Sequence, residues 1–198
     1  MLLKIRTVGD PVLRQVARAL SPEEIRSAEI KNLVRHMQDT VRDAPGVGLA
    51  APQIGESIRL TVIEDRPEYQ KTLSKEELKE RERKPIEFHA IFNPTIELLT
   101  PPEISFFEGC LSIPWVMAKV RRSRSVRVNC LDEQGNPRVI ETHGWYARIL
   151  QHEIDHLNGV LYTDRMEGET LTTLEHYQRQ SKIAAASKLT EKATGKSS

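Results

Sequence analysis

QHEIDHLNG, residues 151–159, sets two histidines four positions apart with a glutamate beside the first. An α-helix turns once in about 3.6 residues, so His152 and His156 project from one face, their rings close enough to grip a single ion. Glu153 points about a quarter turn away, beside such an ion without ligating it, which is where a general base belongs. Trp145 and Ile149 extend the helical spacing upstream, and Gly159 stands where a helix stops. The stretch therefore reads as a helix from about Gly144 to Asn158 with a metal-binding face.

Outward from this helix the pattern changes period. SVRVNCLDEQGNPRVIET (125–142) alternates in two arms around a turn at Gln134 to Pro137, and SIRLTVIED (57–65) and FHAIFNPTIELL (88–99) also alternate as strands do. Near the start, Ser21 offers an N-cap, Pro22 suits the first helical position, and Ile25, Leu33, Val34, Met37 and Val41 form an apolar stripe, which predicts one helix over Pro22 to Asp43. Residues 66–85 hold few large apolar side chains and many charges, and read as a solvated excursion. A last helix is expected over about Glu167 to Ile183, followed by a polar tail. Short strands mixed with helices, without regular β-α-β alternation, predict an α+β fold in which antiparallel sheet packs around a central metal-binding helix.

Composition bounds the function classes. With 29 basic and 28 acidic side chains the net charge is +1, so no global field argues for nucleic acid or an anionic membrane. No apolar run approaches the roughly 20 residues that span a bilayer. The opening MLLKIRTVGDPVLRQ lacks the features of a secretory signal, and a cytoplasmic location is expected. Two cysteines make no disulfide framework, so each is weighed as a ligand or a buried thiol.

The histidine pair supplies two donors, and a catalytic divalent ion normally takes three from protein. The remaining histidines, the cysteines and many carboxylates all compete for the third place. Cys110 stands out within FEGCLSIP (107–114), where Gly109 permits close backbone approach and a thiolate would suit zinc or ferrous iron. Cys130, inside the alternating VRVNCL, reads as a small core residue.

GVGLAAPQIG (46–55), EGCLS (108–112) and QHEIDH (151–156) occur together in that order, and the triple resembles the peptide deformylase family. DPVLRQVA (10–17), FNP (92–94) and LNGVLYTDRM (157–166) extend the resemblance, which covers about residues 5–166. GWYARILQHE (144–153) and the charged insert are more similar to the branch of the family shared by organelles and some bacteria. The resemblance implies a catalytic domain over 1–166, with 167–198 as an appended helix and tail. It implies hydrolytic removal of the formyl group from the N-terminal formylmethionine of nascent polypeptides, releasing formate. One divalent ion would be held by Cys110, His152 and His156, with ferrous iron as the native metal and zinc, nickel or cobalt also accommodated.

In the same reading Glu153 serves as general acid and base, while Gln53 and the backbone N–H of Leu111 face the developing oxyanion. Gly46 and Gly48 let a peptide approach as an added strand, and Val47, Trp145 and Ile149 wall a pocket for the methionine side chain. Glu108 is expected to pair with Arg122 in support of the metal ligands. The expected partners are N-formylmethionyl peptides and nascent chains at the ribosome, without membrane or sequence-specific nucleic-acid binding. One departure concerns SIPWVMAKV (112–120): many relatives carry glycine or a polar residue where Trp115 stands, and some an arginine near Met117.

Two other classes compete. A zinc endopeptidase would draw its third ligand from downstream of the helix, Asp164 or Glu167, or from Asp155 between the histidines. A non-catalytic, metal-stabilised binding protein would need a fourth protein ligand, and none is obvious.

Overall fold

The run Leu60–Asp65 (β2) is buried along its whole length. Its alternating side chains explain how: Leu60 and Val62 pack with Ala90 and Phe92 in one apolar cluster, while Ile63 joins Ile91 in another on the opposite face. A strand covered on both faces belongs to the middle of a layered structure. The computed structural model, which describes residues 1–44, 46–181 and 183, has β1 (Gly48–Ala50), β2, β3 (Ile86–Leu98), β6 (Ser125–Leu131) and β7 (Pro137–His143) side by side in one antiparallel sheet. A second sheet holds β4 (Ile104–Cys110), β5 (Ile113–Arg122) and the short β8 (Thr172–Thr173).

One face of the larger sheet carries α1 (Pro22–Arg26) and α2 (Ala28–Asp43). The predicted single helix is thus two. Ser27, at φ −63° and ψ 153°, ends α1 and caps α2 by accepting the Ile30 N–H, because a serine hydroxyl competes with the helical backbone. The break leaves the stripe intact: Ile25 remains buried beside Ile30, Val34, Met37 and Val41. Each fully buried member is worth about 1.5–3 kcal/mol of apolar transfer.

Residues 66–85 depart from the expected solvated excursion. They include two short helices, α3 (Pro67–Gln70) and α4 (Lys75–Glu80), with no buried residue in either. Their return segment, however, is tied inward, because Asp65 at the end of β2 is fully buried and needs a countercharge. Arg83 supplies it through hydrogen bonds of 2.7 and 2.8 Å.

The other face of the larger sheet receives α5 (Gly144–Leu157), whose Ala147, Ile149, Leu150 and Ile154 pack on Ile91, Val126, Val128 and Ile140. Cys130 lies in the same cluster, 6% exposed. Gly144 begins α5 at φ +64°, and a Cβ there would stand 2.6 Å from the Glu82 Cβ, so glycine lets the excursion lie against the helix start. The polar flank of α5 turns toward the second sheet, placing the helix between two antiparallel sheets, as the α+β expectation has it. Past α5, the expected helix from Glu167 starts only at residue 174: the Glu167 N–H donates to the Lys119 carbonyl at 2.9 Å, a 3-10 turn (Gly168–Thr170) follows, β8 pairs with β5, and residues 174–181 are helical. The expected tail from 184 to 198 lies outside the described residues. Among the described residues no helix is long and apolar enough to cross a membrane.

Candidate metal centre and catalytic site

Cys110 ends β4 just where the chain turns into β5, and α5 lays His152 and His156 opposite it. The three offered donor atoms lie within 4.8 Å of one another, and the Cys110 Sγ is 3.3 Å from the His156 Nε2. A tetrahedral ion with bonds of about 2.1–2.3 Å needs donor pairs roughly 3.4–3.8 Å apart, so two imidazoles and a thiolate at this spacing fit a divalent cation. Among the described residues this is the one such cluster of three.

The ligand groups stabilise one another's charged forms. Burial pushes the Cys110 thiol upward, but the charge of His156 and hydrogen bonds from both imidazoles outweigh it and hold the group well below its ordinary value. Burial likewise pushes His152 down, and its bonds to Cys110 and Glu108 raise it well above the usual histidine range. Ligation needs the thiolate and a neutral imidazole, so a bound ion would favour the same form of the sulfur and release the proton from His152.

Behind the ligands runs a buried ionic lattice. The His152 Nδ1 lies 3.0 Å from Glu108, which fixes the ring and turns its other nitrogen to the cavity. Glu108 accepts two hydrogen bonds of 3.0 Å from Arg122 and one of 2.6 Å from Arg148. Burial opposes its ionisation, yet the His152 hydrogen bond and the Arg122 charge keep it far below the carboxylate range. Arg122 also donates to Asp155 at 2.5 Å, and Asp155 accepts Arg165 at 2.8 and 2.9 Å. The Glu108–Arg122 pair is the one the sequence suggests; Arg148, one turn before His152 on α5, was not legible as its second partner. The carboxylates of the endopeptidase reading are engaged elsewhere, Asp155 as above, Asp164 with Arg14, and Glu167 with Arg121 and Ser105.

Glu153 is 4% exposed, and burial raises its pKa against the opposing charge of the two imidazoles. The Thr61 Oγ1 lies 3.5 Å from it. Gly48 exists to admit this carboxylate: a Cβ there would meet the Glu153 Cδ at 2.6 Å. At Gly46 the added carbon would press on the Leu111 Cδ1 at 3.0 Å. Both glycines therefore have packing reasons in addition to any role in peptide approach.

Gln53 sits in a 3-10 turn, Ala51–Ile54, with its carbonyl fixed by the Ala50 N–H at 2.8 Å. That leaves its amide nitrogen facing the site, 3.5 Å from the Cys110 Sγ and 3.2 Å from the Ser112 Oγ. Gly46, Gly48, Gln53, Cys110, His152 and Glu153 border one cavity of about 730 Å³, together with Val47, Leu111, Trp145 and Ile149. Val47, Trp145 and Ile149 share an apolar cluster, so the expected pocket wall is contiguous.

The cavity has walls the sequence did not suggest. Leu73, Arg81 and Arg83 come from the charged excursion, and Leu174 and Tyr177 from the helical residues after β8. The two residues of departure, Trp115 and Met117, also line it. Trp115 is 75% exposed and adopts φ +74°, a conformation that glycine takes freely and tryptophan does not. A glycine at this position would relieve that strain.

A sequence profile described as Polypeptide deformylase matches residues 2–171. The chain is 43% identical over 168 residues to the chloroplastic peptide deformylase 1A of Solanum lycopersicum, covering 85% of this chain and 61% of that protein. It is 43% identical over 175 residues to peptide deformylase 1A, chloroplastic/mitochondrial, of Arabidopsis thaliana, covering 88% of this chain and 65% of that one. It thus spans less than two thirds of either plant relative. Among solved structures, the Met-Ala-Ser-bound class I type b peptide deformylase of Acinetobacter baumannii superposes with a TM-score of 0.74 at 30% identity, over 84% of this chain and 99% of that one.

Proposed function

The chain belongs to the polypeptide deformylase family, and on that premise we propose that it removes the formyl group from N-formylmethionyl peptides by hydrolysis, releasing formate. The observation that carries this reading is the convergence of Cys110, His152 and His156 at a spacing that suits one ion, with Cys110, His152 and the buried Glu153 lining one cavity. A divalent ion held by these three ligands would supply Lewis acidity, polarising the formyl carbonyl and acidifying water. We assign ferrous iron as the native ion; zinc, nickel and cobalt accept the same nitrogen and sulfur donors.

The chain's own groups do the rest. Glu153, whose burial raises its pKa, takes a proton from the attacking water as the water oxygen bonds to the formyl carbon. It returns the proton to the amine nitrogen as the C–N bond breaks. The Gln53 amide and the Leu111 N–H donate to the carbonyl oxygen as negative charge builds, and removing one such donor typically costs about 3 kcal/mol. Val47, Trp145 and Ile149 receive the methionine side chain, and the segment 46–48 pairs with the peptide backbone.

The catalytic unit is assigned to residues 1–166, with the remainder as an appendage that completes the cavity rim. Nascent chains emerging at the ribosome are the proposed physiological substrates, and the cytoplasm the proposed location. The test is formate release from formyl-Met-Ala-Ser by anaerobically prepared protein. Wild type should release formate; Cys110→Ala should lose both metal and turnover. Glu153→Gln should keep stoichiometric metal while its rate falls by about 10²–10⁴. Cleavage of an internal peptide bond, or no formate from wild type, overturns the proposal.

A further inference from the structure

Most charged groups on the cavity wall have a counterion. Arg83 is held by Asp65, and Arg148 and His152 share Glu108. Arg81 differs: among the described residues no carboxylate lies within ion-pair distance of its guanidinium, whose one hydrogen bond goes to the Tyr177 hydroxyl at 3.4 Å. Its guanidinium carbon stands 5.1 Å from the Trp145 ring centroid and 5.5 Å from that of Phe106. A guanidinium stacked on rings is held in place and weakly hydrated, while its N–H edge stays available to a planar anion. Burial lowers the pKa of Arg148 nearby, and the charges of Arg122 and Arg81 lower it further. The cavity thus offers a fixed cation without an internal anion.

Its position sets what it can meet. Trp145 precedes His152 by seven residues on α5, a rise of about 10 Å from the metal ligands. An extended peptide covers about 3.3 Å per residue, so a chain anchored at its formyl end brings its second or third side chain beneath Arg81.

Resting on the deformylase reading, we propose that Arg81 is a specificity-determining residue that receives the carboxylate of an aspartate or glutamate at the second or third position of the substrate peptide. The excursion is then a selective wall of the site.

The experiment compares formyl-Met-Ala-Asp, formyl-Met-Asp-Ala, formyl-Met-Ala-Ala and formyl-Met-Ala-Lys, all as C-terminal amides so that no terminal carboxylate competes. Wild type should favour an acidic peptide over the lysine peptide by roughly fivefold in kcat/KM, carried by KM, and less at high salt. Arg81→Met should bring the ratio close to one, and Arg81→Lys should retain part of it. An equal ratio in wild type and Arg81→Met, no preference in wild type, or a uniform loss on all four peptides would overturn the proposal, the last marking Arg81 as a holder of the excursion only. Titration calorimetry with unformylated Met-Ala-Asp and Met-Ala-Lys amides reads the same ratio as Kd without turnover. A preference there in a protein that releases no formate would refute the deformylase reading and leave the Arg81 inference standing, whereas equal Kd values would refute the inference.

Discussion

A methyl group at Gly48 would overlap the Glu153 carboxylate, since the added carbon and the Glu153 Cδ would be 2.6 Å apart. Gly48→Ala should therefore fold with most of its stability and release formate at least tenfold more slowly, because a small displacement of a general base is costly; circular dichroism and kcat measured on one preparation check this. Trp115 poses the opposite case. Its φ of +74° costs about 1–2 kcal/mol for an L side chain, and at 75% exposure it recovers little by burial. Trp115→Gly should raise unfolding stability by about 1 kcal/mol in urea titration; a loss would mean that the ring makes contacts stronger than the strain. These demands differ in legibility. Two histidines on one helix face follow from spacing alone, and the cysteine that joins them was recognisable from EGCLS, whereas the strain at Trp115 arises early in β5, beside a register shift in its pairing with β4 that no residue pattern specifies.

At the scale of the element, α5 joins two environments: its apolar face lies on the larger sheet, and its polar flank meets Glu108 and Arg122 of the second. Arg122 contacts both Glu108 and Asp155, so Arg122→Met strands carboxylates that are almost wholly buried. Losing one partner of a buried pair costs about 3–5 kcal/mol, and equilibrium denaturation should report a loss in that range. The strands and α5 were readable because one period, 2 or 3.6, ran through each. The break at Ser27 was not, since the stripe of α1 and α2 continues across it and a local capping bond decides the matter. Nor was the inward return of residues 81–83, where a buried Asp65 outweighs a composition that looks fully hydrated.

For the whole molecule, the donors of the metal centre come from different layers: Cys110 from the end of the smaller sheet, and the histidines from the helix between the sheets. An ion at that junction stabilises only the native arrangement, by about 4 kcal/mol at a thousandfold excess over its Kd. Chelation should lower the melting temperature by about 10 °C for a chain of this size, and re-addition of the ion should restore it, as calorimetry would show. The lattice of Glu108, Asp155, Arg122, Arg148 and Arg165 has a consequence for how this chain can change over generations. Arg165 is half-exposed, but Glu108, Arg122, Arg148 and Asp155 are buried, and any of these four altered alone unbalances charge in the interior, so a lineage exchanges them singly only at a cost in stability. A designer who wishes to replace the buried four does best to do so in one step.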